Sequence, residues 1–149
     1  MTLIQRLLRR DEGFRRAAYY DHLGFLTIGI GRLIDARRGG GITEEEALYL
    51  LDNDIRSRLS ALDAEIPWWK NLDEVRRAVL LSMSFQLGVD GLLSFRATLR
   101  AVREKRYGDA ADLMLLSKWA QQTPLRAHRL SDAMRSGDAA DLRLEEDDV

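Results

Sequence analysis

The stretch DEGFRRAAYYDHLGFLTIGIG, Asp11–Gly31, decides the fold because the spacing of the apolar residues changes within it. Before it, apolar residues from Leu3 to Leu8 recur at helical spacing, and Gly13 is a typical helix stop. Within it, Asp21–Gly24 predicts a turn. Phe25–Ile30 then predicts a short strand, since it is rich in apolar and β-branched residues. The chain is therefore expected to pass from a helix into a small β region.

The rest of the chain predicts helices. Thr43 and Glu46 form a capping box that opens a long helix over residues 43–62, and PWWKN then breaks the pattern. A last helix is predicted from Pro124, after the cap residue Thr123, to Gly137. The helices predicted in between are Asp73–Leu87, Ser94–Tyr107 and Asp109–Ser117.

This order of elements predicts an α+β fold that is predominantly helical. We expect one domain in two lobes, with a β-containing lobe over about residues 13–42. The larger helical lobe takes residues 64–137 together with the N-terminal helix 3–12, and residues 43–62 join the lobes. A cleft between lobes is a common place for a substrate site. Residues 138–149 form an acidic tail that we expect to fray and to be dispensable for folding.

The composition excludes some kinds of site. The 149 residues can bury a core without disulfides, and the absence of Cys excludes thiolate metal ligands. With only two His, a metal site is not expected. The net charge of −1 conceals a tail with six acids and one Arg, so the body carries +4. A basic body favours an anionic polymer such as nucleic acid or cell wall, and a solvated Arg-rich surface explains it equally well.

The N-terminus has no secretory signal pattern, because polar residues interrupt its apolar ones. No run reaches the ~20 apolar residues of a membrane span. We therefore expect a protein made in the cytoplasm that does not enter a membrane.

Three polar residues of the opening stretch could carry chemistry. Glycosidic cleavage needs a carboxylic acid to protonate the leaving oxygen and a carboxylate to attack or to activate water. Glu12 and Asp21 could be that pair, and the Thr27 hydroxyl could hold the water. However, Asp is common in turns and Thr in strands. Only Glu12 is unusual, because an acid at a helix C-terminus opposes the helix dipole. Spacing alone leaves both interpretations open.

Three separated motifs then resemble one family. Glu12–Gly13, Tyr19–Asp21 and Gly24–Gly31 together resemble the N-terminal motif of the phage-type lysozymes, glycoside hydrolase family 24. SMSFQLGVDGLLSF (Ser82–Phe95) is similar to the core helix and following turn of that family, and KWAQQTPLRAHRLSDAMRSG (Lys118–Gly137) to its C-terminal signature. The resemblance covers about Leu3 to Gly137, and the three motifs follow one another in the same order as in the family.

The resemblance implies that Glu12 is the general acid, Asp21 the second carboxylate and Thr27 the residue that positions water. The residues that match substrate-binding positions, or adjoin one, are Leu33, Phe85, Gln86 and Thr98. It also implies an ion pair of Arg126 with Glu12 and a neighbouring pair of Asp11 with Arg129. Three positions depart from the family pattern and leave specificity open: Arg32, Leu113 and Lys118.

The activity that the resemblance implies is that of a muramidase without metal or cofactor. It would cleave the β-1,4 bond between N-acetylmuramic acid and N-acetylglucosamine in peptidoglycan, with inversion. The implied role is a monomeric phage endolysin in the host cytoplasm, which reaches the wall after a separate holin-type protein permeabilises the membrane. One alternative is a non-catalytic peptidoglycan-binding module. A nucleic-acid binder is disfavoured, because the Arg residues are spread over every segment. Trp68 and Trp69 could stack on sugar, but at a helix break they are interpreted as packing anchors.

Overall fold

The computed structural model describes residues 1–36 and 39–144, apart from the side chains of Ile4 and Asp11. Two compact units divide the chain, one over residues 1–52 and one from residue 53 onward. Helices dominate and a small sheet lies in the first unit, which confirms the predicted α+β class. The predicted lobe boundaries, including the assignment of the first helix to the helical lobe, stay predictions.

The N-terminal unit begins with helix α1, Leu3–Glu12. The Thr2 hydroxyl accepts from the Gln5 amide and the Gln5 side chain accepts from the Thr2 amide, so the helix starts with a complete capping box. The helix ends at Gly13, as predicted. The last residue of α1 is therefore Glu12, which places this acid at the start of the β region.

Three antiparallel strands follow in the order β1 (Arg15–Tyr20), β2 (Leu26–Gly29) and β3 (Arg32–Leu33). Thr27 in the central strand pairs with Tyr19 on one side and Leu33 on the other. The sequence predicted only the central strand. Five of the six residues of β1 are exposed, so this strand lacks the alternation of apolar and polar residues by which a half-buried strand is recognised.

Helix α2 (Glu44–Glu65) begins at the predicted capping box. The Thr43 amide donates to Glu46 Oε2 at 2.9 Å, and the Glu46 amide donates to Thr43 Oγ1 at 3.2 Å. The helix runs past the predicted end at residue 62 and stops before Ile66 and Pro67. Pro67–Asn71 then forms a short 3-10 helix.

The C-terminal unit consists of helices packed around one core. They are α3 (Glu74–Leu93), α4 (Arg96–Arg103), α5 (Tyr107–Leu115), α6 (Lys118–Gln122) and α7 (Pro124–Ser136). The largest fully buried apolar side chains are Leu62, Leu80, Met83, Leu92, Met114 and Met134. Trp69 and Trp119 belong to this core, as predicted for Trp69 as a packing anchor.

The predicted bounds of three further helices, α3, α4 and α5, are wrong. Helix α3 does not end at Gly88; it kinks there, where Gly88 has φ 74° and ψ 164°, and resumes as far as Leu93. The predicted helix Ser94–Tyr107 is shorter, because the chain leaves α4 at Glu104 and Lys105 takes a positive φ of 60°. Tyr107 begins the next helix instead. Lys105 is not a typical stop residue, so no local residue type marks this break.

The tail prediction is wrong for its first part. Ala139–Leu142 forms a 3-10 helix capped by Asp138, and Leu142 packs against the core. The Arg143 guanidinium lies 3.6 Å from a carboxylate oxygen of Asp132. The segment therefore does not fray as far as residue 144, while residues 145–149 lie outside the described part of the chain.

Within the described residues, no single helix is both long and apolar enough to cross a membrane. The pair α3–α4, bent by 100°, meets the length and composition criteria only when both helices are counted together.

Candidate active site

Glu12 lies at the end of α1 against a glycine of the β2–β3 turn. A methyl group placed on Gly31 would come within 2.8 Å of Glu12 Oε2 and 3.3 Å of Glu12 Cβ. Gly31 also has a φ of +70°, which favours glycine. Both the backbone conformation and the space for the Glu12 side chain therefore favour glycine at position 31.

Asp21 lies in the turn between β1 and β2 and is half-buried. Its Oδ1 atom accepts hydrogen bonds from the Leu23 amide at 2.9 Å and from the Phe25 amide at 2.8 Å. The Asp21 amide donates in turn to the Phe25 carbonyl at 2.9 Å. The Asp21 side chain therefore stabilises the turn and is itself held in one orientation. Within the described residues, Oδ2 of Asp21 has no hydrogen-bond partner.

Thr27 follows on the central strand and is 4% exposed. Its hydroxyl donates to the Phe25 carbonyl at 3.0 Å, so one peptide carbonyl accepts from both the Asp21 amide and the Thr27 side chain. The backbone of Phe25 therefore links two of the predicted catalytic residues. Sequence reasoning missed Phe25, because a backbone group leaves no trace in residue type.

Arg32, which departs from the family pattern, forms an ion pair with Glu46 of the same unit. Its guanidinium makes two hydrogen bonds to the Glu46 carboxylate, at 3.2 and 2.5 Å. The backbone amide of Thr43, followed by the Arg32 guanidinium, lowers the pKa of Glu46 below its ordinary value. Arg32 therefore connects β3 to the start of α2, and the two residues line a cavity of about 680 Å³.

Arg126 and Arg129 lie together in the C-terminal unit. They line one pocket of about 430 Å³ with Ser82, Leu130 and other residues. One Arg126 nitrogen donates to the Ser82 carbonyl at 3.0 Å and to its hydroxyl at 2.9 Å, which fixes the guanidinium against α3. The predicted partners Glu12 and Asp11 belong to the other unit, and the Asp11 side chain lies outside the described part. Both predicted pairings stay predictions.

The predicted substrate-binding residues are divided between the two units. Leu33 lies on β3 in the N-terminal unit and is half-buried. Phe85, Gln86 and Thr98 belong to the C-terminal unit. The Arg58 guanidinium lies 4.1 Å from the centre of the Phe85 ring. Thr98 is 4% exposed, the same fraction as Thr27.

The Gln86 side chain is exposed but held in place. Trp119 Nε1 donates to Gln86 Oε1 at 2.8 Å. The Trp119 ring also meets Phe95 edge to face, with 6.2 Å between the ring centres. Phe95 and Trp119 line a pocket of about 400 Å³ with the exposed Lys118, another departure from the family pattern. The structure thus brings a polar amide beside an aromatic pocket.

Residues 9–131 match the family described as phage lysozyme. The chain belongs to the phage lysozyme family. The match includes each residue that the sequence analysis assigned to catalysis and substrate binding, because all of them lie between positions 11 and 129.

Several named relatives support membership of the phage lysozyme family. A probable T4-type lysozyme 1 of Dictyostelium discoideum is 29% identical over 163 residues, covering 92% of this chain and 96% of that protein. The endolysin of Salmonella phage P22 is 32% identical over 124 residues, covering 78% and 82%. The pre-baseplate central spike protein Gp5 of Enterobacteria phage T4 is 31% identical over 168 residues, which cover 93% of this chain but 28% of that protein.

Proposed function

We propose that the chain is a muramidase that hydrolyses the β-1,4 bond between N-acetylmuramic acid and N-acetylglucosamine in peptidoglycan. Glu12 protonates the leaving oxygen, Asp21 activates water, and Thr27 holds that water. The single observation that carries this assignment is the hydrogen-bonded unit of Asp21, Phe25 and Thr27. Such bonds hold a base and a water-positioning hydroxyl in fixed orientations, as catalysis requires.

The hydrogen bonds also assign atoms to roles. Oδ1 of Asp21 is occupied by two backbone amides, so Oδ2 is the atom that takes the proton of water. The Thr27 hydroxyl donates its hydrogen to the Phe25 carbonyl. Its Oγ1 atom therefore accepts a hydrogen bond from the water through a lone pair. Asp21 and Thr27 would then each accept a hydrogen bond from the same water molecule. A lone pair on the water oxygen would stay available to attack the sugar.

Activation of water predicts inversion at the anomeric carbon. The carboxyl groups of Glu12 and Asp21 should then lie roughly 6.5–9.5 Å apart in the enzyme–substrate complex, since water must fit between Asp21 and the sugar. Proton NMR of the first product formed tests this step. An α anomer is expected from the β-linked substrate, and an initial β anomer would exclude water activation by Asp21.

Purified peptidoglycan digested with the protein tests the activity itself. New reducing ends on N-acetylmuramic acid are expected, whereas ends on N-acetylglucosamine would assign a glucosaminidase. Anhydro products would assign a transglycosylase. Binding to the wall without new ends would favour the alternative of a non-catalytic peptidoglycan-binding module.

The biological role that we propose is an endolysin acting on the bacterial wall. One relative, from phage P22, bears the name endolysin. We further propose that the protein acts as a monomer and reaches the wall through a separate holin-type protein. Lysis of host cells that express the chain with and without a membrane-permeabilising protein tests this role, because lysis in both cases would make the second protein unnecessary.

A further inference from the structure

One face of helix α4 carries a row of cations. Arg96, Arg100 and Arg103 are separated by four and three residues, which places them on the same side of a helix. All three are exposed, and none makes a hydrogen bond or ion pair within the described part of the chain. The opposite face of α4 is buried in the core through residues such as Leu99 and Val102.

The row borders an apolar groove of about 360 Å³. Its remaining lining residues are Ile66, Trp68, Leu93 and Leu99, so among the described residues three cations and no acid line it. Some other arginines of the same unit are paired: Arg106 contacts Glu104 and Asp109, and Arg135 contacts Asp112. The row on α4 differs from these arginines, because three neighbouring cations on one face have no acid partner within the described residues.

We propose that this groove, which we call the α4 groove, binds the acidic stem peptides of peptidoglycan. This inference rests on the proposed function, which supplies the polymer. Guanidinium groups bind carboxylates through two parallel hydrogen bonds, and a groove with an apolar floor accepts the aliphatic parts of a peptide. Binding of stem peptides would add a contact with the wall to that of the glycan, so the α4 groove keeps the enzyme on the wall between cleavage events.

Two other anionic partners fit the α4 groove less well. A membrane surface would require exposed apolar side chains for insertion, yet no large apolar side chain from Ile66 to Arg103 is exposed. Single-stranded nucleic acid is bound by successive aromatic platforms, and Trp68, which is half-buried, is the only aromatic side chain lining the α4 groove. A carboxylate-bearing peptide needs neither feature.

The test measures binding of the full chain to insoluble, protein-free peptidoglycan by brief co-sedimentation in the cold. The patch variant is Arg96→Gln/Arg100→Gln/Arg103→Gln. The matched control, Arg6→Gln/Arg16→Gln/Arg77→Gln, removes the same charge from exposed arginines elsewhere. Exposed ion pairs contribute roughly 0.5 kcal/mol each, so the patch variant should bind about tenfold more weakly than wild type. The control should change binding by less than about threefold, and added salt should reduce the difference.

A second arm needs no variant. Peptidoglycan treated with an amidase that removes the stem peptides should bind wild-type protein about tenfold more weakly, and the patch variant should lose little more. Equal binding by the patch variant and the control would overturn the proposal. So would wild-type binding that survives removal of the stem peptides, or stronger binding to vesicles of anionic phospholipid or to single-stranded DNA than to peptidoglycan.

Two precautions keep the outcomes separate. If the triple variant fails to fold, each single substitution should still weaken binding by about twofold. Reducing ends released from the same peptidoglycan are measured in parallel. Binding through the α4 groove without release of reducing ends would contradict the proposed muramidase activity only, whereas release with unchanged binding of the patch variant would contradict only the α4 groove.

Discussion

The two compact units are stabilised by different interactions. From residue 53 onward, the interior is apolar, and residues such as Leu80 and Met83 are completely buried. In residues 1–52, Thr27 is the only buried residue among those whose side chains are described. Hydrogen bonds take the place of apolar packing there, as in the turn held by Asp21 and the capping box of Thr43 and Glu46.

The difference explains where the proposed catalytic groups lie. Carboxylates that contact water and substrate are ionised, and burying an unpaired charge in an apolar core costs a large amount of free energy. A turn that is tied by its own polar groups holds such acids in place while leaving them accessible. The helical unit, in contrast, supplies most of the apolar burial that stabilises a fold. Each of the following experiments tests this division of roles.

The largest effect is expected from a matched pair on helix α2, which belongs to both units. Leu62 is 0% exposed and Leu48 is 53% exposed. Leu62→Ala should lower the free energy of unfolding by about 2–5 kcal/mol, because it leaves a cavity in the core. Leu48→Ala should change it by no more than ~0.5 kcal/mol. Chemical denaturation of both variants measures this, and equal losses would show that the N-terminal unit has an apolar core of its own.

Glu12→Gln should remove activity without loss of stability. The amide keeps the size of the side chain but has no proton to transfer, so release of reducing ends should fall by at least ~10²-fold. The melting temperature should stay unchanged or rise, because functional carboxylates commonly reduce stability. Glu44→Gln, at an exposed site on α2, is the control for charge. Near-normal activity of a folded Glu12→Gln protein would rule out Glu12 as the general acid.

Gly31→Ala should displace Glu12. Gly31 and Gly29 have nearly equal φ values, 70° and 69°, but only at Gly31 would an added methyl group come within 4 Å of Glu12. Each alanine variant should lose about 1–2 kcal/mol of stability through backbone strain. Only Gly31→Ala should also reduce turnover of the folded protein by roughly tenfold or more, because small displacements of a catalytic group are costly. Equal activities for the two folded variants would mean that contact with Gly31 does not position Glu12.

Truncation of the tail separates packing from charge. Deleting residues 138–149 removes the 3-10 helix and Leu142, which packs against the core, and should cost about 1–2 kcal/mol. Deleting residues 145–149 removes four acids and changes the net charge from −1 to +3, close to the +4 of the longer deletion. The shorter deletion should leave the melting curve almost unchanged. Matching melting curves for both truncations would show that packing by Leu142 contributes nothing.

The smallest effect concerns pH. Burial raises the pKa of Asp73, but hydrogen bonds from the Arg76 amide and guanidinium outweigh it, so the pKa lies below its ordinary value. The ionised cap therefore stabilises α3 fully above about pH 4, and this contribution is lost as the pH falls through the lowered pKa. The advantage of wild type over Asp73→Asn should be under ~1 kcal/mol at pH 6 and should shrink as the pH is lowered below about 4.

Asp90→Asn is the control for that pH series, since Asp90 is an exposed acid on the same helix. Unfolding measured from pH 2 to 7 should give a parallel curve for this control and wild type. An advantage of wild type over Asp73→Asn that is constant with pH would show that the charge of Asp73 does not contribute to the cap.

Local signals predicted several elements correctly. The capping box at Thr43, the stop at Gly13 and the helix from Pro124 to Ser136 each depend on a few neighbouring residues, and the structure confirms them. Signals failed where no local residue type marks a change, as at Lys105, or where a glycine allows a kink rather than a stop, as at Gly88. Residues 138–144 were predicted wrongly to fray because the acids of the tail suggested solvation, whereas Leu142 packs against the core.

For the candidate site, the sequence by itself determined the residue types and the family. The carboxyl groups of Glu12 and Asp21 and the hydroxyl group of Thr27 are given by residue type alone. The order of the motifs, which indicates the family, is also read from the sequence without knowledge of the fold. Only the tertiary structure decided that Gly31 makes room for Glu12, and that the Phe25 carbonyl accepts from both Asp21 and Thr27. Arg32 likewise became a partner of Glu46 only in the fold. The physical reason is that distances between residues far apart in sequence, and the partners of backbone groups, are set by how the chain packs and not by its local propensities.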